Sequence, residues 1–182
     1  MSAALYHVRY DDFVYLADTG VLDDEEGLPI RQWSQADARF DGGEASANWR
    51  VADNASGQWD LRVYGDLVHA TLANGGGDLP RIAPSRFGTE LRWERDAWRA
   101  SLHGQRVNEQ DHVAAFETTT PGHTLVDAHF AWHFDTLNGN AWEVFVDATN
   151  LLDEEARAHT SFLKDVAPLP GRGFNFGVRT FF

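Results

Sequence analysis

The last eleven residues, Arg172 to Phe182, read RGFNFGVRTFF and alternate with a period of two. Phe174, Phe176, Val178, Thr180 and Phe182 form a row without charge, and Gly173, Asn175, Gly177, Arg179 and Phe181 form the other. That period describes a β-strand whose two faces meet different surroundings. A tilted strand needs about 9–11 residues to cross a bilayer, so the length also suits a membrane wall. A soluble sheet can end on an amphipathic strand too. The rest of the chain has to separate lipid from water as the medium on the greasy side.

The alternation recurs upstream. Val126, Ala128, Phe130, Trp132 and Phe134 oppose Asp127, His129 and His133; Trp142, Val144, Val146 and Ala148 oppose Glu143 and Asp147. Strands are predicted near 2–17, 30–52, 58–74, 86–95, 97–110, 122–135, 140–151 and 172–182, with no sustained helical period. In 30–52 the apolar parity moves from Ala36, Ala38 and Phe40 to Ala45, Ala47, Trp49 and Val51, and the Gly42-Gly43 pair between them predicts a bulge. Connections near 18–29, 75–85, 111–121 and 152–171 are long, whereas those near 53–57, 95–97 and 136–139 are short. Long loops at one end and tight turns at the other are the pattern of an outer-membrane barrel.

Tryptophan placement agrees. Trp49, Trp59, Trp93, Trp98, Trp132 and Trp142 all fall at strand ends beside the short turns, and Phe182 ends at the same level. Amphipathic rings favour the membrane–water interface, where barrels carry aromatic girdles. Trp33 is expected to mark the opposite interface. The longest apolar run is Phe13 to Ala17, too short for a membrane helix. Mean hydropathy of -0.41 does not count against a barrel, whose apolar residues are dispersed. A net charge of -13 opposes nucleic-acid binding, and the absence of Cys removes disulfides and thiolate metal sites.

Several stretches carry a family resemblance: NLLDEEARAHTSFLKDVAPLPGRGFNFGVRTFF (Asn150 to Phe182), LPRIAPSRFGTEL (Leu79 to Leu91), TTTPGHTLVDA (Thr118 to Ala128) and FDGGE (Phe40 to Glu44). In this order they resemble the C-terminal end of a TonB-dependent outer-membrane receptor. The resemblance implies an all-β, transmembrane antiparallel β-barrel in the bacterial outer membrane. Residues 1–182 would supply about eight C-terminal strands of about 22, with the plug domain absent. It also implies a wall and extracellular loops that serve uptake of zinc, an iron–siderophore complex or haem, without a cofactor or an enzymatic role. Its partners would be outer-membrane lipid, barrel-assembly machinery that reads Phe174, Phe176, Val178, Thr180 and Phe182, and TonB only through the missing plug. The opening residues MSAALYHVRYDDFVY lack an export signal and already look like mid-strand sequence, which predicts a piece of a longer protein. A stand-alone eight-stranded barrel and a soluble β-sandwich are the alternatives.

Eight histidines in an acidic chain raise metal chemistry. His103, Asp127 and His129 fall on the polar faces of adjacent strands, and His159 lies in the last long loop; imidazole and carboxylate suit zinc or iron. A polar lumen wall would carry such residues without any ion. Asp153 is expected to cap a helical turn over Glu154 to Ala158. No Gly-x-Ser-x-Gly, His-Glu-x-x-His or phosphate-cradling loop is present, so no enzymatic chemistry is predicted.

Overall fold

The computed structural model describes residues 1–136 and 140–181. The third short turn and Phe182, expected both at the membrane interface and in the assembly signal, lie outside the described residues. Eight strands form one antiparallel sheet in chain order: β1 (Ser2–Leu22), β2 (Pro29–Asn54), β3 (Gly57–Leu72), β4 (Arg86–Arg95), β5 (Trp98–Val107), β6 (His123–Asp135), β7 (Ala141–Thr149) and β8 (Gly173–Phe181). Each strand pairs with the next, and β1 and β8 are the two edges of an open sheet. A small barrel closed by its first and last strands is therefore not what this chain forms.

Two-residue turns join β2 to β3 and β4 to β5, while 73–85, 108–122 and 150–172 are long connections at the other end. The first connection is shorter than predicted, because the β1–β2 ladder continues to Leu22 opposite Pro29. Gly57 closes the β2–β3 turn at φ +114, and an added Cβ would sit 2.6 Å from the Glu94 carbonyl oxygen. Only glycine tolerates that geometry.

The apolar rows are not buried. Phe176 is 80% exposed, Leu67 56% and Phe87 58%. Among the described residues, the buried apolar side chains apart from Pro80 are Ala38, Ala47, Ala70, Leu79, Ala131 and Ala156, and of these only Leu79 is larger than alanine. A water-soluble sandwich would bury its Phe, Val and Trp rows, each worth roughly 1.5–3 kcal/mol. Here they cover an outer face instead. Trp59 packs beside Trp93, with ring centroids 6.0 Å apart, and Trp98 stacks on Trp132 at 5.4 Å, next to the tight turns.

Gly42 and Gly43 form no bulge; both pair in unbroken register with β1 and β3. The β2 irregularity lies between Arg50 and Ala52. The apolar parity changes because the faces exchange polarity. Leu5, Gly43 and Leu67 share one cross-strand row on the outer face, and the next row on that face is His7, Asp41 and His69. Above it the inner face becomes apolar: Ala38 and Ala70 pack with Leu79, Phe13, Tyr15, Phe40, Leu72 and Ile82. Trp33 stands ten residues beyond Gly43, ~33 Å along the strand. Since Asp41, Arg39, Asp37 and Gln35 lie between them on that face, Trp33 is too far out to mark the upper edge of the apolar band.

Glycines on the inner face receive rings from the preceding strand. Tyr6 covers Gly42, Tyr64 covers Gly88 and Phe145 covers Gly177. An added Cβ at Gly88 would meet the Tyr64 ring at 2.5 Å. The gap lets Tyr64 cross β4 and reach β5, where its hydroxyl contacts His103 Nε2 at 2.8 Å and accepts from Gln105 Nε2 at 2.7 Å. Gly88→Val should displace the ring and destabilise the wall by about 1–3 kcal/mol. A lower unfolding midpoint of the complete protein in detergent is expected, and an unchanged midpoint would contradict the bracing role.

Candidate functional site

The alternation of β3 to β8 puts one continuous charged lattice on the inner face. Arg86 Nε donates to Asp66 at 2.8 Å, Arg92 Nε to Glu90 at 2.8 Å, and Arg179 to Glu143 at 2.8 Å. The predicted donors His103, Asp127 and His129 all lie in this lattice. They form two separate pairs: His103 Nδ1 is 3.6 Å from Asp127, and His129 Nδ1 is 2.6 Å from Asp147. Asp127 also accepts from the Asn150 backbone N–H at 2.8 Å. These groups can present alternating charge and hydrogen-bonding atoms to whatever fills the interior.

His159 lies far from that lattice. It is buried where the loops 108–122 and 150–172 meet, with Nε2 3.3 Å from Glu117 and Nδ1 2.9 Å from the Thr120 hydroxyl. Lys164 Nζ donates to Glu117 at 3.0 Å and to the Thr118 carbonyl at 2.6 Å. Backbone N–H groups of Arg81 and Ala114 donate to the same Glu117 carboxylate, so three loops converge on one side chain. The arrangement is a latch. Burial by itself raises the Glu117 carboxyl, but the hydrogen bonds from His159, Lys164, Ala114 and Arg81 prevail and lower it to about 2.

Asp153 caps no helix. Its φ of 56 puts it in a left-handed turn, and its carboxylate accepts from the Arg172 backbone N–H at 3.0 Å and from the Arg172 guanidinium at 3.2 Å. Those bonds hold its carboxyl below the ordinary range and pin the end of the long loop to the start of β8. Asn150, at φ 48, braces the same loop through Glu154 and Pro170.

Sequence reasoning missed a third cluster. His69 at the end of β3, Asp78 in 73–85 and His112 in 108–122 place their donor atoms within 4.8 Å of one another. Separations of 9 and 34 residues hide this, because local spacing carries no trace of loop folding.

Comparison with known proteins matches residues 1–151 to the family described as TonB dependent receptor-like, beta-barrel. Among solved structures, the copper transporter OprC is similar at 21% identity with a TM-score of 0.77, covering 98% of this chain and 28% of that one. The ferric-catecholate import receptor Fiu from E. coli K12 is similar at 18% identity with a TM-score of 0.62, covering 98% of this chain and 24% of that one. The chain thus spans under a third of the length of either structure.

The Glu117 pKa fixes the sign of a pH effect. A carboxyl held at about 2, below its ordinary 4.5, stabilises the latch above 4.5 and loses that contribution as pH falls toward 2. Glu117→Gln should therefore loosen the contact between 108–122 and 150–172 near neutral pH, read by a distance probe across the two loops. The difference from the natural protein should shrink as pH approaches 2. An equal difference at both ends of that range would refute the ionic latch.

Proposed function

The chain belongs to the TonB-dependent receptors as part of their β-barrel, and from that premise we propose that it serves outer-membrane uptake of a metal ion, a metal–siderophore complex or haem. The observation that carries the reading is the sheet with unlike sides: an exposed apolar outer face backed, over β3 to β8, by an inner face rich in charged and polar side chains. Lipid suits the first. Cargo and a plug domain suit the second. Residues 1–182 would act together as one wall segment with its loops, and no catalytic role is assigned to them. Two structural neighbours named for copper and for ferric catecholate favour metal-bearing cargo as a class.

Within this reading, His103, Asp127 and His129 face the interior and meet cargo or plug. Trp49, Trp59, Trp93, Trp98, Trp132 and Trp142 sit at the membrane–water interface near the tight turns. Phe174, Phe176, Val178 and Thr180 of β8 are offered to barrel-assembly machinery, and TonB is engaged through the plug rather than through this wall.

In cells carrying the complete receptor, its deletion should abolish uptake of one among labelled zinc, ferric siderophore and haem, and so should loss of TonB. His103→Ala with His129→Ala should reduce that uptake severalfold while the receptor level in the outer membrane stays unchanged. Uptake of all three cargoes untouched by the deletion would overturn the proposal.

A further inference from the structure

The cluster of His69, Asp78 and His112 lies outside the charged lattice. His69 shares its face with Leu67 and stands one step beyond the exposed apolar band. It therefore belongs to the outer wall just above the band. His69 Nε2 is 3.4 Å from one Asp78 carboxylate oxygen, and His112 Nδ1 is 4.0 Å from the other. The two imidazoles meet edge to face at a centroid distance of 4.9 Å.

The backbone fixes each donor. β4 starts at Arg86 opposite Asp66, so β3 from Leu67 onward has a free edge that loop segments fill. Leu79 N–H donates to the Ala70 carbonyl at 2.9 Å and Leu72 N–H to the Gly77 carbonyl at 2.8 Å, which sets Asp78 opposite Thr71. Gln110 pairs with Thr120, donates from Nε2 to the Ile82 carbonyl at 3.0 Å, and accepts from the His112 N–H at 3.2 Å. Three separate segments thus converge on the cluster through their own hydrogen bonds.

The charge pattern differs from that of the inner wall, where Asp66, Glu90 and Glu143 each have an arginine. Among the described residues Asp78 has ion-pair partners only in the two imidazoles. Asp111 lies 4.0 Å from His112 Nε2, on the far side of that ring, where a carboxylate can orient a ligating imidazole. Tetrahedral coordination at about 2.0–2.2 Å requires donors closer than 4.8 Å, and the 67% exposed His112 side chain has room to close in.

The geometry points to a divalent-cation site on the outer wall, formed by His69, Asp78 and His112, that ties loops 73–85 and 108–122 to the end of β3. Two imidazoles and one carboxylate select a borderline ion such as Zn2+, Cu2+ or Ni2+ over Ca2+ or Mg2+, which prefer an all-oxygen shell. A fourth position stays open to water. The site faces away from the interior, so it does not depend on which cargo is carried.

The test uses the complete receptor in detergent, stripped of metal. Calorimetric titration with Zn2+ should show a site whose affinity falls at least tenfold in His69→Ala, in His112→Ala and in Asp78→Asn. Cu2+ loaded at one equivalent should show coupling to two imidazole nitrogens by electron paramagnetic resonance, with one coupling lost in each histidine variant. Zn2+ should also slow proteolysis within 108–122. No Zn2+ binding by the natural receptor, or binding unaltered in the His69→Ala/His112→Ala variant, would overturn the site. Cargo uptake by that variant is scored separately, so failure of this site and failure of the uptake proposal can be told apart.

Discussion

The structure depends on one constraint: no backbone N–H or C=O may face hydrocarbon unpaired, since each such group costs several kcal/mol there. The antiparallel pairing of β1 to β8 in chain order meets it across the apolar band, apart from the two sheet edges. Once hydrogen bonding alone holds the wall, side chains on the outer face need no protein partner. That is why Phe174, Phe176 and Val178 can stand exposed while hardly any aliphatic or aromatic side chain larger than alanine is buried. On the inner face the rings of Tyr6, Tyr64 and Phe145 cover glycines on neighbouring strands. They supply contact that a packed core would otherwise provide.

The same constraint explains why β1, β2 and β3 outrun the apolar band. Beyond the row Leu5, Gly43 and Leu67 the outer positions turn to His7, Asp41 and His69, with Arg9, Arg39 and Thr71 following. Water on that side removes the demand for an apolar exterior. The inner side is then free to become a small core, where Ala38 and Ala70 take Leu79 and Ile82 from the loop 73–85. Exchange of polarity across a continuous strand marks the edge of the lipid band without any break in the ladder.

This exchange also shows where sequence reading succeeds and where it stops. Period-two alternation and Pro/Gly punctuation located all eight strands, because both are local signals. The parity change in β2 was visible in the residues, but its cause was not. A bulge and a swap of solvents give one pattern, and only the register through Gly42 and Gly43 separates them. For His103, Asp127 and His129 the face was legible from parity. Their division into two pairs was not, because pairing depends on strand register. His159 was named as a candidate, but its partners, like the group of His69, Asp78 and His112, were beyond reach, since each cluster is assembled by long connections whose folding leaves no period in the chain.

The two sets of charges differ in physical standing. Glu143 is buried, but elsewhere in the inner lattice the arginines paired with Asp66 and Glu90 are more than half exposed, so each of those pairs is worth only ~0–1 kcal/mol. Such pairs exchange partners at little cost, as the proposed contact with a plug and with cargo would require. Glu117, His159 and Lys164 are buried, and losing any one would leave an uncompensated charge or donor in a dry site. Cheap pairs dominate the interior, and the buried Glu117 cluster joins the loops at the far end. Adaptability therefore belongs to the wall and rigidity to the junction of the loops 108–122 and 150–172.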